Sequence, residues 1–480
     1  MAKPTAKAKR KDKNAKRRPK AKLCGDLAQR GMSDLNGVID FLSQRREVVR
    51  VKTEVDPCFE LGGIAARFHG GKPVLFESVK GGLWPVFGGL YWNRPVLAEM
   101  FGMPETHLSF HIAEAVAEWR ASPVHPVVVD SAPCQEVVDK DFDIRNLPVP
   151  HVGTEEGGQY LTACVIIAKD PDTGVRNASI MRCMITGRDR MTCLMDIGRH
   201  LRDYYERAEA RGEPLEITIN NGVDPAVHFA SVVPAVAAPI ELDELGIASH
   251  LLGEPLALVK SKTIGVEAVA SAQFILEAEL LPGLREPEGP AAEVTGYYAQ
   301  QDDRWVIRVK AVTHRNKPIW HTIFPGLEVY NAVGLMAEAS IFRSVSAQVP
   351  VLKDVLLTYG GCGFYHAVIQ VEKNIEGIQR NAILATFAAF PPLKQVTVVD
   401  ADVNIREPQD VEWAMATRFR PDRDIILIPE ARGHELNPVT DEGLVCKVGF
   451  DATAPYPRPR KFKRIQFREV DLNDYEIDQS

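Results

Sequence analysis

The sequence predicts a mixed α/β protein assembled from segments of different style, and three observations predict it. Between about residues 131 and 318 the apolar runs are short, β-branched and bounded by Gly, Pro or Asp, as in "ACVIIAKD", "LEITI", "LALVKSK" and "WVIRVKAVTH". From about residue 330 strand-like and helix-like runs alternate, the pattern of an α/β layer. Ahead of both, one amphipathic stretch is followed by brief β-rich runs. The expected segments are a basic tail at 1–24, an N-terminal α/β domain at 25–130 and a β-rich central domain at 131–318. A linking helix region at 319–350 and a C-terminal α/β domain at 351–480 complete the chain.

Taken in order, Ser33 is placed to cap a helix from Asp34 to Arg46, with Leu35, Val38, Ile39, Phe41 and Leu42 on one broad face. "PVLFESV" and "PVVVD" follow as strands. Within the central segment, "IGRHLRDYYERAEARGEP" reads as one helix, charged outside and stopped by Gly212 and Pro214. "EVYNAVGLMAEASIFRSVSAQVP" is expected to be a linking helix that ends at Pro350. Strands at "DVLLTY", "HAVIQVEK", "QVTVVDADV" and "DIILIPE" then alternate with helices near 374–388 and 408–418.

Composition narrows the function classes. With 480 residues, 45% hydrophobic and 25% charged, the chain has room for two or three globular domains. It shows no apolar run of membrane length and no signal pattern, so a cytoplasmic protein is expected. The eight cysteines (24, 58, 134, 164, 183, 193, 362 and 446) include no Cys-x-x-Cys, which argues against a thiolate zinc site or a redox dithiol. No Gly-x-Gly-x-x-Gly or Walker loop is present. Residues 1–22 hold eleven Lys/Arg and one Asp, so they carry +10 of a chain whose net charge is −7, and the body carries −17. The tail is expected to be disordered; the acidic body argues against nucleic acid as a partner anywhere but at that tail.

The stretch "REPEGPAAEVTGYY" (285–298) places Glu288 and Glu293 five residues apart. On a helix that spacing turns the chain by about 500°, and on a strand it sends the two side chains to opposite faces. Only a turn brings them together. Pro290 fixes its own φ and moves Gly289 out of the α region, so a bent loop is expected, leading into a strand from about Val294.

Four pieces in this order resemble the UbiD family of decarboxylases: "NASIMR" (177–182), "GRH" (198–200), "GEP" (253–255) and "EGPAAE" (288–293). "VVDADVNIREPQDVEWAMATRFRPDRD" and "GFDAT" extend the resemblance, which runs from about residue 33 to 460. It implies that the central domain is a split β-barrel that binds prenylated FMN, a flavin made by a separate prenyltransferase. A divalent metal, Mn²⁺ or Mg²⁺, and a K⁺ would hold the cofactor phosphate. A dimer or higher homo-oligomer acting on a small carboxylic acid is implied as well.

Carried onto this sequence, the resemblance makes Asn177, His200 and Glu254 the ligands of the divalent metal. An amide, an imidazole and a carboxylate form a mixed hard set that suits Mn²⁺ or Mg²⁺. Asn177, Ala178, Ser179, Ile180, Met181 and Arg182 would line the cofactor, with Arg199 near its phosphate and Lys394 reaching it from the C-terminal half. "ASVVP" resembles a K⁺ loop, with Ala230, Ser231 and Val233 as ligands. Arg182, Glu288 and Glu293 would form an ionic network over the reactive face, Glu293 delivering a proton and Glu288 holding the arginine. Two carboxylates in a partly dry site do not both ionise freely, and an arginine orients one of them. His321 and His366 lie in the half expected to close over substrate, and both read as structural.

The implied activity is a reversible non-oxidative decarboxylation of an aromatic, heteroaromatic or α,β-unsaturated acid. Two alternatives stay open at this level. One is a hydroxybenzoate or polyprenyl-hydroxybenzoate decarboxylase of a biosynthetic pathway. The other is a silent cofactor-binding scaffold whose basic tail recruits nucleic acid, against which the intact Arg182, Glu288 and Glu293 set speaks.

Overall fold

Successive residues of the strand Cys164–Lys169 face two different cores. Val165 and Ile167 belong to one buried apolar cluster, while Cys164, Ile166 and Ala168 belong to another. A strand covered on both faces has no solvent side, which is why "CVIIA" reads as an unbroken apolar run. This strand is part of a nine-stranded sheet that organises the molecule, as seen in a computed structural model describing residues 23–470 apart from 83, 197, 235, 236, 435, 466 and 469. The basic residues 1–22 lie outside the described part.

The order of the central sheet runs from Tyr160–Leu161 through Cys183–Ile185, Arg190–Cys193, Asp302–His314, Phe274–Glu288, Leu215–Asn221 and Cys164–Lys169 to Arg176–Ile180. The ninth strand, Val137–Asp139, pairs off this path with Asp302–His314, and all these pairings are antiparallel. Among the described residues it remains an open sheet and does not close into a barrel. Its backbone is the pair Phe274–Glu288 and Asp302–His314, which delivers Glu288 opposite Asp302 after a register shift between Leu280 and Arg285. The helix His200–Glu209 packs on this sheet with Leu201, Tyr204, Tyr205 and Ala208 buried.

The N-terminal part holds the helix Leu35–Gln44, whose buried face is the expected Leu35, Val38, Ile39, Phe41 and Leu42. Its cap is Asp34, one residue later than Ser33: the Asp34 carboxylate accepts the Gly37 N–H at 2.8 Å. Val49–Val51, Val74–Phe76 and Val86–Gly88 form a small sheet completed by Trp320–Thr322, parallel to Val86–Gly88. The stretch expected to open a helical linker therefore first supplies a strand to the N-terminal sheet. The linker itself is a helix from Leu327 to Ser346 with one wide π-type turn at Tyr330–Gly334.

The C-terminal sheet has the order Leu352–Leu357, His366–Val371, Gln395–Asp400, Leu444–Ala452 and Ile425–Arg432, with parallel pairings at its centre. Helices Ile378–Ala389 and Pro408–Arg418 flank it, close to the expected spans. The strand Leu444–Ala452 was not among the expected elements.

Candidate active site

Arg182 lies in the two-residue gap between the strands Arg176–Ile180 and Cys183–Ile185. Its Nε donates to Glu288 Oε1 at 3.1 Å, and its Nη1 donates to Glu293 Oε1. The guanidinium therefore separates the two carboxylates. Burial works against the charge on Arg182, but Glu293 and Glu288 outweigh it and hold its pKa above the usual arginine value. Glu288 is 2% exposed, and its other oxygen faces Arg304 Nε at 3.7 Å. The ring of Tyr160 lies 5.8 Å from the Arg182 guanidinium carbon, within cation–π range. Burial, and then the Glu288 charge, push the Tyr160 phenol up, so that it keeps its proton.

The bend that makes this possible is the Gly-Pro turn. Gly289 takes φ +109°, a conformation that side chains disfavour, and a Cβ there would lie 3.0 Å from Gln301 Cα. After the turn, Ala291–Ala292 pairs with Tyr298–Ala299, and Glu293 opens a tight turn. The Glu293 N–H donates to Tyr297 O and the Gly296 N–H to Glu293 O, both at 3.0 Å. Val294 thus sits in this turn, and the strand expected to begin there is absent. Glu156 secures the segment from outside: its carboxylate accepts the N–H groups of Ala292 (3.2 Å), Val152 (3.1 Å) and Gly153 (2.8 Å). Glu156, Tyr160 and Arg304 carry no local signal in the sequence, because their roles arise from sheet neighbours.

A second cluster lies in the same domain. Asn177 Nδ2 donates to Glu244 Oε2 at 2.7 Å, and the Ala178 N–H donates to the same oxygen at 3.1 Å. His200 Nδ1 lies 3.0 Å from Glu244 Oε1, and Ser179 Oγ donates to Asn177 Oδ1 at 2.8 Å. The carboxylate that joins Asn177 and His200 is thus Glu244, and the structure does not bring Glu254, expected with them, to either residue. Glu254 is exposed beyond the far end of the helix Leu245–Leu252, of which Glu244 is the N-terminal cap. Ten residues of mostly helical rise put it about 15 Å away. Gly253 takes a left-handed φ of +83° as the helix C-cap, so "GEP" marks a helix stop, with Pro255 two residues after the capping Gly. The sequence signal that was available is the acidic "ELDE" (241–244) ahead of an apolar helix.

The donor set fits a divalent cation. Glu244 is 4% exposed, yet its partners are an amide, a backbone N–H and an imidazole. Among the described residues no Lys or Arg pairs with it. Burial raises its pKa, with His200 opposing, as expected of a desolvated carboxylate short of positive charge. No group of three or more His, Cys, Asp or Glu gathers for a metal among the described residues, so a cation here needs the Asn177 amide. Beside the cluster opens a cavity whose walls include Ile180, Met181, Met195, Arg199 and Val232. The same walls carry Ser179, Asp196, Arg202 and Ser231, so the lining is mixed: apolar side chains stand beside two arginines, a set that fits a ring system bearing a phosphate.

The remaining candidates are placed as follows. Ala230 and Ser231 end the helix Pro225–Ser231, with Val233 two residues on, and the Ser231 hydroxyl donates to His228 O at 2.7 Å. Lys394 is in the C-terminal domain, its N–H on Tyr365 O at 2.9 Å; no side-chain contact links it to either cluster among the described residues. His366 is held between Thr358 Oγ1 (3.2 Å) and Thr397 Oγ1 (2.9 Å), a structural histidine whose pKa burial lowers to about 4. His321 is buried, and its pKa is lowered to about 3 by burial and then by His228.

Comparison with known proteins places these clusters in context. Sequence models of the 3-octaprenyl-4-hydroxybenzoate carboxy-lyase match in three parts: the N-terminal domain at 39–116, the Rift-related domain at 126–328 and the C-terminal domain at 330–452. A Rhodospirillum rubrum protein described only as an uncharacterized protein in the cooM 5′ region is 50% identical, over 93% of this chain and 97% of its own. An anhydromevalonate phosphate decarboxylase of Methanothermobacter thermautotrophicus is 37% identical, over 88% of this chain and 98% of its own. The solved UbiD-class enzyme HmfF of Pelotomaculum thermopropionicum, in complex with FMN, is 40% identical with a TM-score of 0.88, over 92% of this chain and 100% of that one. An evolved dimeric form of HmfF has been solved with prFMN, at 38% identity and a TM-score of 0.83, over 92% of this chain and 100% of that one.

Proposed function

The chain belongs to the UbiD family of carboxy-lyases and is a decarboxylase, and we propose that it removes CO₂ reversibly and without oxidation from an aromatic, heteroaromatic or α,β-unsaturated acid with prenylated FMN bound. The observation that carries this reading is the placement of one guanidinium between two carboxylates in the central domain, with a cavity lined by the neighbouring Ser179, Ile180 and Met181. When bound, the flavin supplies the electron sink that an sp² carbon losing CO₂ lacks.

The residues of this chain do the rest. Arg182 attracts the substrate carboxylate and is kept charged by its two acidic neighbours. Glu293, at the start of a turn and paired by one oxygen, is the group that delivers a proton to the carbon vacated by CO₂. Glu288, nearly wholly buried between Arg182 and Arg304, is committed to orientation. Asn177, His200 and Glu244 hold Mn²⁺ or Mg²⁺ against the cofactor phosphate, with Arg199 adding a fixed positive charge. K⁺ is held where the helix Pro225–Ser231 ends, since a helix C-terminus leaves carbonyls free at Ala230 and Val233. The dimeric form of HmfF supports a homo-oligomer here. A flavin prenyltransferase supplies the cofactor.

The test is co-expression with a flavin prenyltransferase, followed by an absorption spectrum and a panel of carboxylic acids read by product chromatography. Product formation that requires the modified flavin, together with exchange of labelled bicarbonate into substrate, is expected. Equal turnover with unmodified FMN would overturn the cofactor assignment.

A further inference from the structure

The segment that carries Glu293 is gripped by two domains. On its upstream side the central domain holds it: the Tyr160 hydroxyl donates to Pro290 O at 3.3 Å, and Glu156 accepts the Ala292 N–H at 3.2 Å. One residue past Glu293 the surroundings change. Val294 is 7% exposed and joins the apolar cluster of the C-terminal domain, whose members include Tyr330, Val355, Ala367 and Val396. Among the described residues, every other buried member of that cluster lies at or beyond residue 330. Cys362 and Phe364 pack against it, in the loop that also carries Tyr365. Tyr365 is itself buried, and burial, then the charges of Cys362 and Glu293, raise its pKa, so its phenol keeps its proton.

We propose that Val294 is a positioning residue that couples seating of the C-terminal domain to placement of the Glu293 carboxylate. The inference rests on the proposed role of Glu293 as proton donor. Adjacent residues share one peptide plane, with their Cα atoms about 3.8 Å apart, so whatever fixes Val294 fixes the backbone from which Glu293 projects. A β-branched side chain has few rotamers with which to absorb a shift. The turn closed by Glu293 O and the Gly296 N–H moves as a unit. The acid is therefore aligned by a domain to which it does not belong, and lifting that domain withdraws it.

The experiment uses the full chain loaded with prenylated FMN, and compares Val294→Ala and the isosteric Val294→Thr with Val398→Ala. Val398 lies in the same cluster but on a sheet strand away from the turn. Both Val294 variants are expected to lower kcat about ten-fold or more with little change in KM. They should also speed hydrogen exchange in peptides covering 293–299 while leaving the flavin spectrum unchanged. Val398→Ala is expected to lower Tm comparably, with turn exchange unchanged and kcat within about two-fold. Wild-type exchange of the turn in both Val294 variants, or faster turn exchange in Val398→Ala, would overturn the coupling. Turnover retained by Glu293→Gln would instead remove the proton-donor reading while leaving the exchange result to stand on its own.

Discussion

At the Arg182 cluster two carboxylates close on one guanidinium, whereas at the Asn177 cluster one carboxylate meets an amide, a backbone N–H and an imidazole. Both lie in the central domain, and both bury an acid almost completely. The first carries its own countercharge and needs nothing bound to be stable. The second leaves Glu244 short of positive charge, and burial raises its pKa accordingly. A closed ion network is fit to act on a substrate; an undercompensated carboxylate is fit to hold a cation. The difference teaches that two buried acids of one domain are set apart by charge balance alone, one closed by an arginine and one left undercompensated.

The comparison breaks most visibly at the acid. Glu293→Gln keeps the shape of the network and removes the ionisable proton, so turnover should fall by about 10²–10⁴ with the flavin spectrum unchanged. Product release under saturating substrate measures it, and near-normal rates would end the assignment. Next in size is Arg182→Met, which leaves Glu288 buried with only Arg304 at 3.7 Å. Breaking a buried pair typically costs about 3–5 kcal/mol, to be read by denaturant unfolding of the apoprotein.

At the second cluster the expected effects are smaller and depend on metal. Wild-type protein should gain about 2.7 kcal/mol when Mn²⁺ is at a hundred times its Kd, and Glu244→Gln should gain none. The pH dependence has a definite sign. A carboxyl whose folded pKa is raised binds its proton more tightly folded than unfolded. Without metal, stability should therefore fall as pH rises from about 4.3 towards the raised value, and then level off. Mn²⁺ reverses this by favouring the ionised form, and thermal unfolding across that range with and without metal checks both. The smallest effect is reserved for Glu254→Gln. As a surface substitution it should change stability within about 0.5 kcal/mol and leave the Mn²⁺ response intact. Loss of that response would make Glu254 a ligand.

Much of the fold was legible because it is local. The face of Leu35–Gln44, the two-sided apolar strand Cys164–Lys169 and the alternation after residue 330 follow from side-chain period and turn chemistry. The Gly-Pro bend between Glu288 and Glu293 was legible for the same reason. Less legible were Trp320–Thr322, a strand given to a distant sheet, and Val294, whose apolar side chain reads as the start of a strand but is buried by another domain. That Glu244 lies against His200 was not legible, because Glu244 and Glu254 flank one helix and only its direction in space says which end meets His200.

By itself, the sequence settled where the backbone must bend or stop, since Gly289, Pro290 and Gly253 act through their own φ angles. It also settled the chemical inventory: an arginine, two glutamates and an amide-imidazole pair within the central domain. Only the tertiary structure decided which acid joins Asn177 and His200 and which apolar cluster takes up Val294, the neighbour of Glu293. The physical reason is that a turn is set by its own residues, whereas a contact 44 residues apart, such as His200 with Glu244, is set by how helices and strands pack.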